Sequence, residues 1–427
     1  MSSWSNWAGN VTTAPDLIAH PASTDEVVAL VGAHPRLKAV GAGHSFTPIA
    51  ATDATLLRLD RMNRILHADT TTGLVRVQAG ISLHELNPRL AALGLALPNL
   101  GDVDPQSVAG ATSTGTHGTG ARLFGIAKAI AALQLVTADG EVLEIDAGHE
   151  LFDAARVGLG ALGIVTEVTL QCVPAFLLNA REEPMALSAV LRELDDLVDG
   201  NDHFEFYFFP HTDKALTKRN NRVPEGTAPA PLPRWRHLLD DELLSNTLYE
   251  QVQRLGTRRP ALIPRINALS GSLLGAREYI DASHEVFVSP RRVRFRESEF
   301  ALPRAAAAEA IGEMQRWYAK ADESISFPVE VRFTAADDIW LSTGHERDNV
   351  YIAVHQFHRT DPTRYFAAMQ DIFTAHEGRP HWGKMHTLGA DYFRTVYPRF
   401  DDFVAVRDRL DPERKFTNAY LQQVLGS

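Results

Sequence analysis

The spacing of apolar residues divides the chain into alternating strands and amphipathic helices joined by glycine-rich turns. Thr55-Leu-Leu-Arg-Leu59 and Leu74-Val-Arg-Val-Gln78 alternate as strands. Ile130 to Val136 and Glu141 to Ile145 form two more, around the turn Ala138-Asp-Gly140. Ile164 to Val173 is a long β-branched strand. Between them, Ser23 or Thr24 caps a helix with Glu26 in its first turn and Val27, Val28, Leu30 and Val31 on its apolar face. Leu83 to Leu93 reads as a helix ending at Gly94, and Leu151 to Val157 as another.

The texture changes after Pro174, which marks a domain boundary. Leu187 to Val198 is an amphipathic helix, and Asn201 to Pro210 an aromatic strand. Val223 to Arg234 is a proline-rich connection, Leu238 to Leu274 reads mostly as helix, and residues 304–320 form an alanine-rich helix. Arg291 to Glu299 sets Val293 and Phe295 against charged neighbours; its arginines could serve a site, but a face that is solvated or paired with its own glutamates is the plainer reading. In Phe327-Pro-Val-Glu-Val-Arg-Phe333, side chains alternate between faces. Glu330 and Arg332 therefore share one face, with Val329, Val331 and Phe333 on the other. That charged face is either a surface ion pair or a carboxylate held by a guanidinium at a cavity floor. Val350 to Phe357 likewise puts Tyr351, Ala353 and His355 together.

Three glycine-containing stretches carry candidate chemistry. Val40-Gly-Ala-Gly-His-Ser-Phe46 follows a short strand and precedes Pro48. Its free N–H groups can form a nest for phosphate oxygens, with the His44 imidazole at the edge. The plainer alternative is a surface turn with an ordinary histidine. From Ser107 to Gly120 almost every side chain is small, which fits backbone threaded along a ligand; a flexible loop is the alternative. Gly158-Leu-Gly-Ala-Leu-Gly163 matches G-x-G-x-x-G by letter, but a helix precedes it and a strand follows. A dinucleotide fingerprint needs the reverse order, so no Rossmann unit is expected here.

Bulk composition narrows the partners. The 427 residues carry a formal net charge of -11, which argues against a nucleic-acid partner. The single cysteine, Cys172, allows no internal disulfide and fits a reducing compartment such as the cytoplasm. No secretory leader, transmembrane run or metal-ligand motif is expected. In Gly378 to His386, Lys384 sits crowded beside His381 and Trp382, a setting for a fixed positive charge near an electron-rich ring.

Taken in order, these motifs resemble the flavoprotein oxidoreductases of the vanillyl-alcohol-oxidase type. Within them the likeness is to the aldonolactone oxidoreductase branch, particularly the L-gulono-1,4-lactone dehydrogenases. The likeness rests on Gly41-Ala-Gly-His-Ser-Phe46, Gly101-Asp-Val-Asp-Pro-Gln-Ser107, Gly115-Thr-His-Gly-Thr-Gly120, His203-Phe-Glu-Phe206, Glu330-Val-Arg332, His381-Trp-Gly-Lys384 and Phe416-Thr-Asn-Ala-Tyr-Leu421. The resemblance implies an α+β fold. An FAD-binding domain of two subdomains (PCMH-type, residues 1–175) would be followed by a substrate or cap domain with an antiparallel sheet over the flavin (176–385). A C-terminal segment (386–427) would complete the site.

The resemblance also implies site residues. FAD would lie against Gly41, Ala42, Gly43, His44, Ser45, Phe46, Asp102, Ser107, Gly110, Ala111, Thr114, Gly115, Thr116, His117, Gly118, Gly163, Ile164 and Val165. It would be bonded covalently through His44. Glu330 would act as base or orienter, Arg332 would fix the alcohol oxygen, and Lys384 would face the flavin edge where negative charge collects on reduction. Thr116 and His355 would touch substrate. The expected reaction oxidises a sugar 1,4-lactone at C2 by hydride transfer to flavin N5, giving a keto-lactone that enolises toward an ascorbate-type product. Alditol oxidase, acting on xylitol or sorbitol, shares these residues and is the competing expectation; a non-catalytic flavin protein or a carbohydrate-binding module are others. The acceptor would be oxygen, a cytochrome or a quinone or dye, with Gly115 or Thr116 beside flavin C4a controlling access of oxygen.

Overall fold

The computed structural model describes residues 3–233, 254, 258–273, 275–289 and 293–427. Leu17–Ala19, Thr55–Arg58 and Leu37–Val40 form a parallel three-stranded sheet with Thr55–Arg58 in the centre. The helix Thr24–Ala33 makes the crossover that parallel pairing requires. Its cap is Ser23, whose side chain accepts from the Glu26 N–H, and it buries Val27 and Val31.

Five antiparallel strands follow, in the spatial order Val142–Asp146, Ile130–Val136, Ile164–Gln171, Leu74–Gln78 and Ile65–Asp69. The helix Leu83–Ala92 runs as its pattern predicts, with a full capping box from Ser82 and Glu85. Two expectations shift. The helix expected over Leu151 to Val157 is only Phe152–Ala155. The run of small residues after Ser107 is not extended throughout: Val108–Ser113 forms a short helix capped by Ser107, burying Val108, Ala111 and Thr112. Small side chains let this helix press against the core where bulkier ones would clash.

Besides two two-stranded pairs, Trp4–Ser5 with Thr12–Thr13 and Leu95–Ala96 with Val173–Pro174, an eight-stranded antiparallel sheet is ordered Arg277–Ala282, Leu177–Met185, Ala215–Arg222, His203–Phe208, Val329–Thr334, Asn349–Phe357, Phe295–Pro303 and Arg379–Pro380. One face is apolar. Phe204, Phe206, Phe208, Val329, Val331, Phe333, Ile352, Val354 and Phe300 pack there against the helices Ala307–Lys320 and Thr363–Ala375. The other face carries the polar alternates of the same strands. Register aligns Tyr207 with Glu330, Glu330 and Glu299 with Ala353, and Glu297 with His355. A mixed α/β chain, with a flavin-type domain under a large antiparallel sheet, is thus what the strand patterns build.

The last helices return to the first half. Phe393, Phe400, Phe403, Tyr420, Leu421 and Val424 join the same core as Val75, Leu86 and Leu133. The expected helix from Leu238 to Leu274 falls largely outside the described residues, within which Ile263–Leu273 is helical. Arg234, Arg291 and Arg292 also lie outside them.

Candidate active site

Two adjoining cavities meet at His44. The first, about 350 Å³, is lined by Gly41, Ala42, Gly43, His44 and Ser45, by Ser107, Gly110 and Thr114, and by Gly158, Gly160, Gly163 and Val165. Gly43 has φ 73°, the left-handed region that a tight nest needs. The second cavity, about 90 Å³, is lined by His44, Phe46, Asp102, Thr116, His117, Glu297, Glu299, Glu330, Arg332, His355, His381 and Lys384. His44, Ser45, Gln106 and Thr114 face both.

Several expected flavin contacts lie elsewhere. Ala111 packs in the core of the first half, and Ile164 packs with Val27 and Leu37 behind the parallel sheet. Strand alternation explains Ile164: Gly163 and Val165 face the cleft, so the residue between them cannot. Gly118 is a packing glycine, since a Cβ there would lie 2.2 Å from the Leu100 carbonyl oxygen. Phe46, Asp102, Thr116 and His117 line the second cavity instead of the first. Gly115, at φ 76°, has open space where a Cβ would stand.

The His44 ring makes no hydrogen bond among the described residues and stacks on Trp7 at 5.6 Å and 23°. Burial, reinforced by the Lys384 charge and opposed by Asp104, brings its pKa down to about 4. At neutral pH it is therefore a neutral imidazole with a lone pair, aimed where the two cavities join. These features fit a long phosphorylated cofactor. The cleft offers glycine backbone for its phosphates, and its ring end would reach the imidazole.

The second cavity is a buried network of charge. Arg332 contacts Glu330 directly, donates from Nε to Glu205 Oε2 at 2.9 Å and reaches Asp102 Oδ1 at 3.4 Å. Tyr207 Oη donates to Glu330 Oε1 at 2.7 Å. Behind them, Lys218 Nζ lies 3.2 Å from Glu205 Oε1. Burial works against the guanidinium, but Glu330, Glu205 and Asp102 outweigh it and hold Arg332 well above its ordinary pKa. Two strands along the sheet from Glu330, Glu297 takes the Lys384 ammonium at 2.5 Å and faces His355 Nε2 at 3.6 Å. Burial alone would raise the Glu297 pKa; Lys384 and His355 bring it down to about 2.

Glu299 Oε1 faces His117 Nε2 at 3.3 Å, and the His117 ring stacks on Tyr351 with centroids 3.6 Å apart. His117, Glu299 and His381 converge as three ligand-type groups. They do not suit a metal. His381 Nδ1 accepts the Gly383 N–H at 3.0 Å, so in the neutral ring the proton is on Nε2 and no lone pair remains to ligate. Burial holds that ring neutral, its pKa brought down to about 3.

The solvated face expected for Arg291 to Glu299 is therefore corrected. Arg294 is exposed, but Glu297 and Glu299 are buried and point into the cavity. The same alternation that singled out Glu330 and Arg332 was present in Glu297-Ser-Glu299. Trp7 also lines this cavity, and Glu205 and Tyr207 hold its Glu330–Arg332 pair; sequence reading assigned a role to none of the three. Their partners lie on distant strands, so no local spacing marks them.

The fold and its ligand cleft define a flavin-dependent oxidoreductase, a class supported by two independent matches. A family model described as FAD binding domain matches residues 15–146, and one described as D-arabinono-1,4-lactone oxidase matches residues 168–424. The chain belongs to this family of FAD-dependent lactone dehydrogenases and oxidases. It is 44% identical over 427 residues to L-gulono-1,4-lactone dehydrogenase of Mycobacterium tuberculosis, covering 99% of each chain. It is 36% identical to L-gulonolactone oxidase of Bos taurus, over 98% of this chain and 97% of the relative. The solved structure of cholesterol oxidase from Brevibacterium sterolicum has the same fold, with TM-score 0.78 at 18% identity, covering 99% of this chain and 96% of that one. No helix among the described residues is long and apolar enough to cross a membrane.

Proposed function

We propose that the chain oxidises the C2 hydroxyl of a sugar 1,4-lactone, of the L-gulono-1,4-lactone type, to the keto-lactone. The observation that carries this reading is the Glu330–Arg332 floor of the cavity that adjoins His44. FAD, held along the Gly41 to Ser45 turn and attached through His44, would supply the acceptor for the C2 hydride. Glu330 receives the hydroxyl proton, and Arg332 orients the oxygen that becomes the carbonyl. Lys384 supplies positive charge at the cavity wall, and Thr116 and His355 line the same space as substrate contacts. The buried apolar face beneath the sheet keeps these strands rigid, so the polar alternates stay in register.

A neutral, unbonded imidazole at position 44 supports the covalent link, because only a lone pair can add to an electrophilic methyl carbon. One experiment tests cofactor and substrate together. The absorbance spectrum of the purified protein is recorded before and after acid precipitation, followed by anaerobic addition of L-gulono-1,4-lactone or xylitol. Flavin colour that stays with the precipitate, and bleaching by the lactone well ahead of xylitol, are expected. Colourless protein, or bleaching by xylitol alone, would overturn the reading.

A further inference from the structure

Away from the flavin cleft, a separate cavity of about 450 Å³ opens between the 343–347 loop, the end of the helix Thr363–Ala375 and the helix Ala390–Val396. It is lined by His345, Arg347, Thr374, Arg379, Tyr392 and Thr395, and by the exposed carboxylates of Glu346 and Glu377 at its rim. Neither of its two arginines has a carboxylate within ion-pair distance among the described residues. Arg347 donates to Asn349 Oδ1 at 2.9 Å and to the carbonyls of Glu377 and Ala301 at 2.9 and 2.8 Å. Arg379 donates to the carbonyls of Val396, Thr343 and His345 at 2.7, 3.1 and 2.7 Å. Its Nη2 makes no hydrogen bond among the described residues.

Arg379 is buried and Arg347 half-buried; both are hydrogen-bonded only to neutral groups, and Glu377, Asp337 and Glu346 favour their charge only from beyond ion-pair distance. Burial and the Arg379 charge push Arg347 down to about 10, and burial lowers Arg379 as well. His345 adds a second sign of a missing ligand. It is 3% exposed and lines the cavity, yet neither ring nitrogen has a hydrogen-bond partner. Glu346 Oε1 lies 4.0 Å from its Nε2, too far for a hydrogen bond.

We propose that this cavity binds a small oxyanion, a phosphate or a carboxylate, on Arg379 and Arg347 with His345 beside them. Planar guanidinium forks match the paired oxygens of both groups. This site is independent of the active-site reading.

The test uses the FAD-loaded holoenzyme, so that phosphate cannot enter the flavin cleft. Sodium phosphate and sodium gluconate are titrated separately by calorimetry, against sodium chloride of equal ionic strength. Saturable binding of phosphate, gluconate or both, beyond chloride, is expected, and whichever binds identifies the source of the oxyanion. Thr395 is exposed at the mouth, and its hydroxyl donates to the Tyr392 carbonyl at 2.7 Å. Thr395→Glu and Thr395→Gln both lose that bond, but only the first adds a repelling charge. Thr395→Glu should weaken binding by about tenfold or more relative to Thr395→Gln. Equal affinity in the two variants, or no saturable binding of either anion by the unaltered chain, would overturn the site.

Discussion

Oε2 of Glu297 lies 2.5 Å from the ammonium of Lys384, so the cation expected to serve the flavin arrives already paired. Burial opposes the charge on Lys384, yet Glu297 and Glu299 keep its pKa above the ordinary value. Glu297 thereby sets how much positive charge the cavity wall presents. Replacing Glu297 by Gln removes the counter-charge and should raise the flavin reduction potential by tens of millivolts, on the order of one screened charge at close range. Dye-equilibrated reduction of the holoenzyme reads this directly. An unchanged potential would show that the pair does not act on the ring.

Glu330→Gln keeps a hydrogen-bond acceptor for Tyr207 but removes the carboxylate proposed as the proton acceptor. Flavin reduction by the lactone, followed in anaerobic stopped flow, should slow roughly a hundredfold or more. Reduction at the unaltered rate would take Glu330 out of the chemistry.

His44→Ala should leave a protein that still holds FAD in the cleft but releases it on acid precipitation, giving a yellow supernatant and a pale pellet. The nest of Gly41 to Ser45 is intact in this variant, so affinity should be retained while the proposed bond is lost. Colour that remains in the pellet would place the attachment elsewhere.

Lys38 makes stability depend on pH in a defined window. It is 2% exposed, and its Nζ donates to the carbonyls of Phe416 at 2.9 Å and Gly160 at 3.1 Å. Burial, opposed by Asp411, lowers its pKa from 10.5 to about 7. Above 10.5 both folded and unfolded chains hold a neutral amine. As pH falls from 10.5 toward 7 the unfolded chain protonates first, so stability declines through that window and then levels off. The full contribution is at most about 5 kcal/mol. Melting temperatures measured from pH 7 to pH 9.5 should climb less with pH in Lys38→Met than in the unaltered chain. Parallel curves for the two would exclude this lysine as the source.

Much of the framework could be read from local pattern. The capped helix at Ser23 and the strands Thr55–Arg58, Leu74–Gln78 and Ile130–Val136 follow from spacing that each segment carries within itself. The inverted order around Gly158 to Gly163 likewise ruled out a Rossmann unit, and the strand Ile164–Gln171 does follow that turn. What misled was exposure. Charged residues in Arg291 to Glu299 suggested a solvated surface, but charge alone does not say whether a facing strand supplies a partner. Lys384 and His117, far away in sequence, supply one each for Glu297 and Glu299.

Alternation along single strands determined which side chains share a face: Glu330 with Arg332, and Tyr351 with His355. The glycine turn determined that His44 stands at the edge of a nest. Only the tertiary structure decided which strands lie side by side, and hence that Glu205, Tyr207 and Asp102 gather on that one pair while Trp7 covers the imidazole. Backbone geometry has a period that a short stretch of sequence contains, whereas a buried charge is tolerated only by partners that register and loop packing bring from elsewhere in the chain.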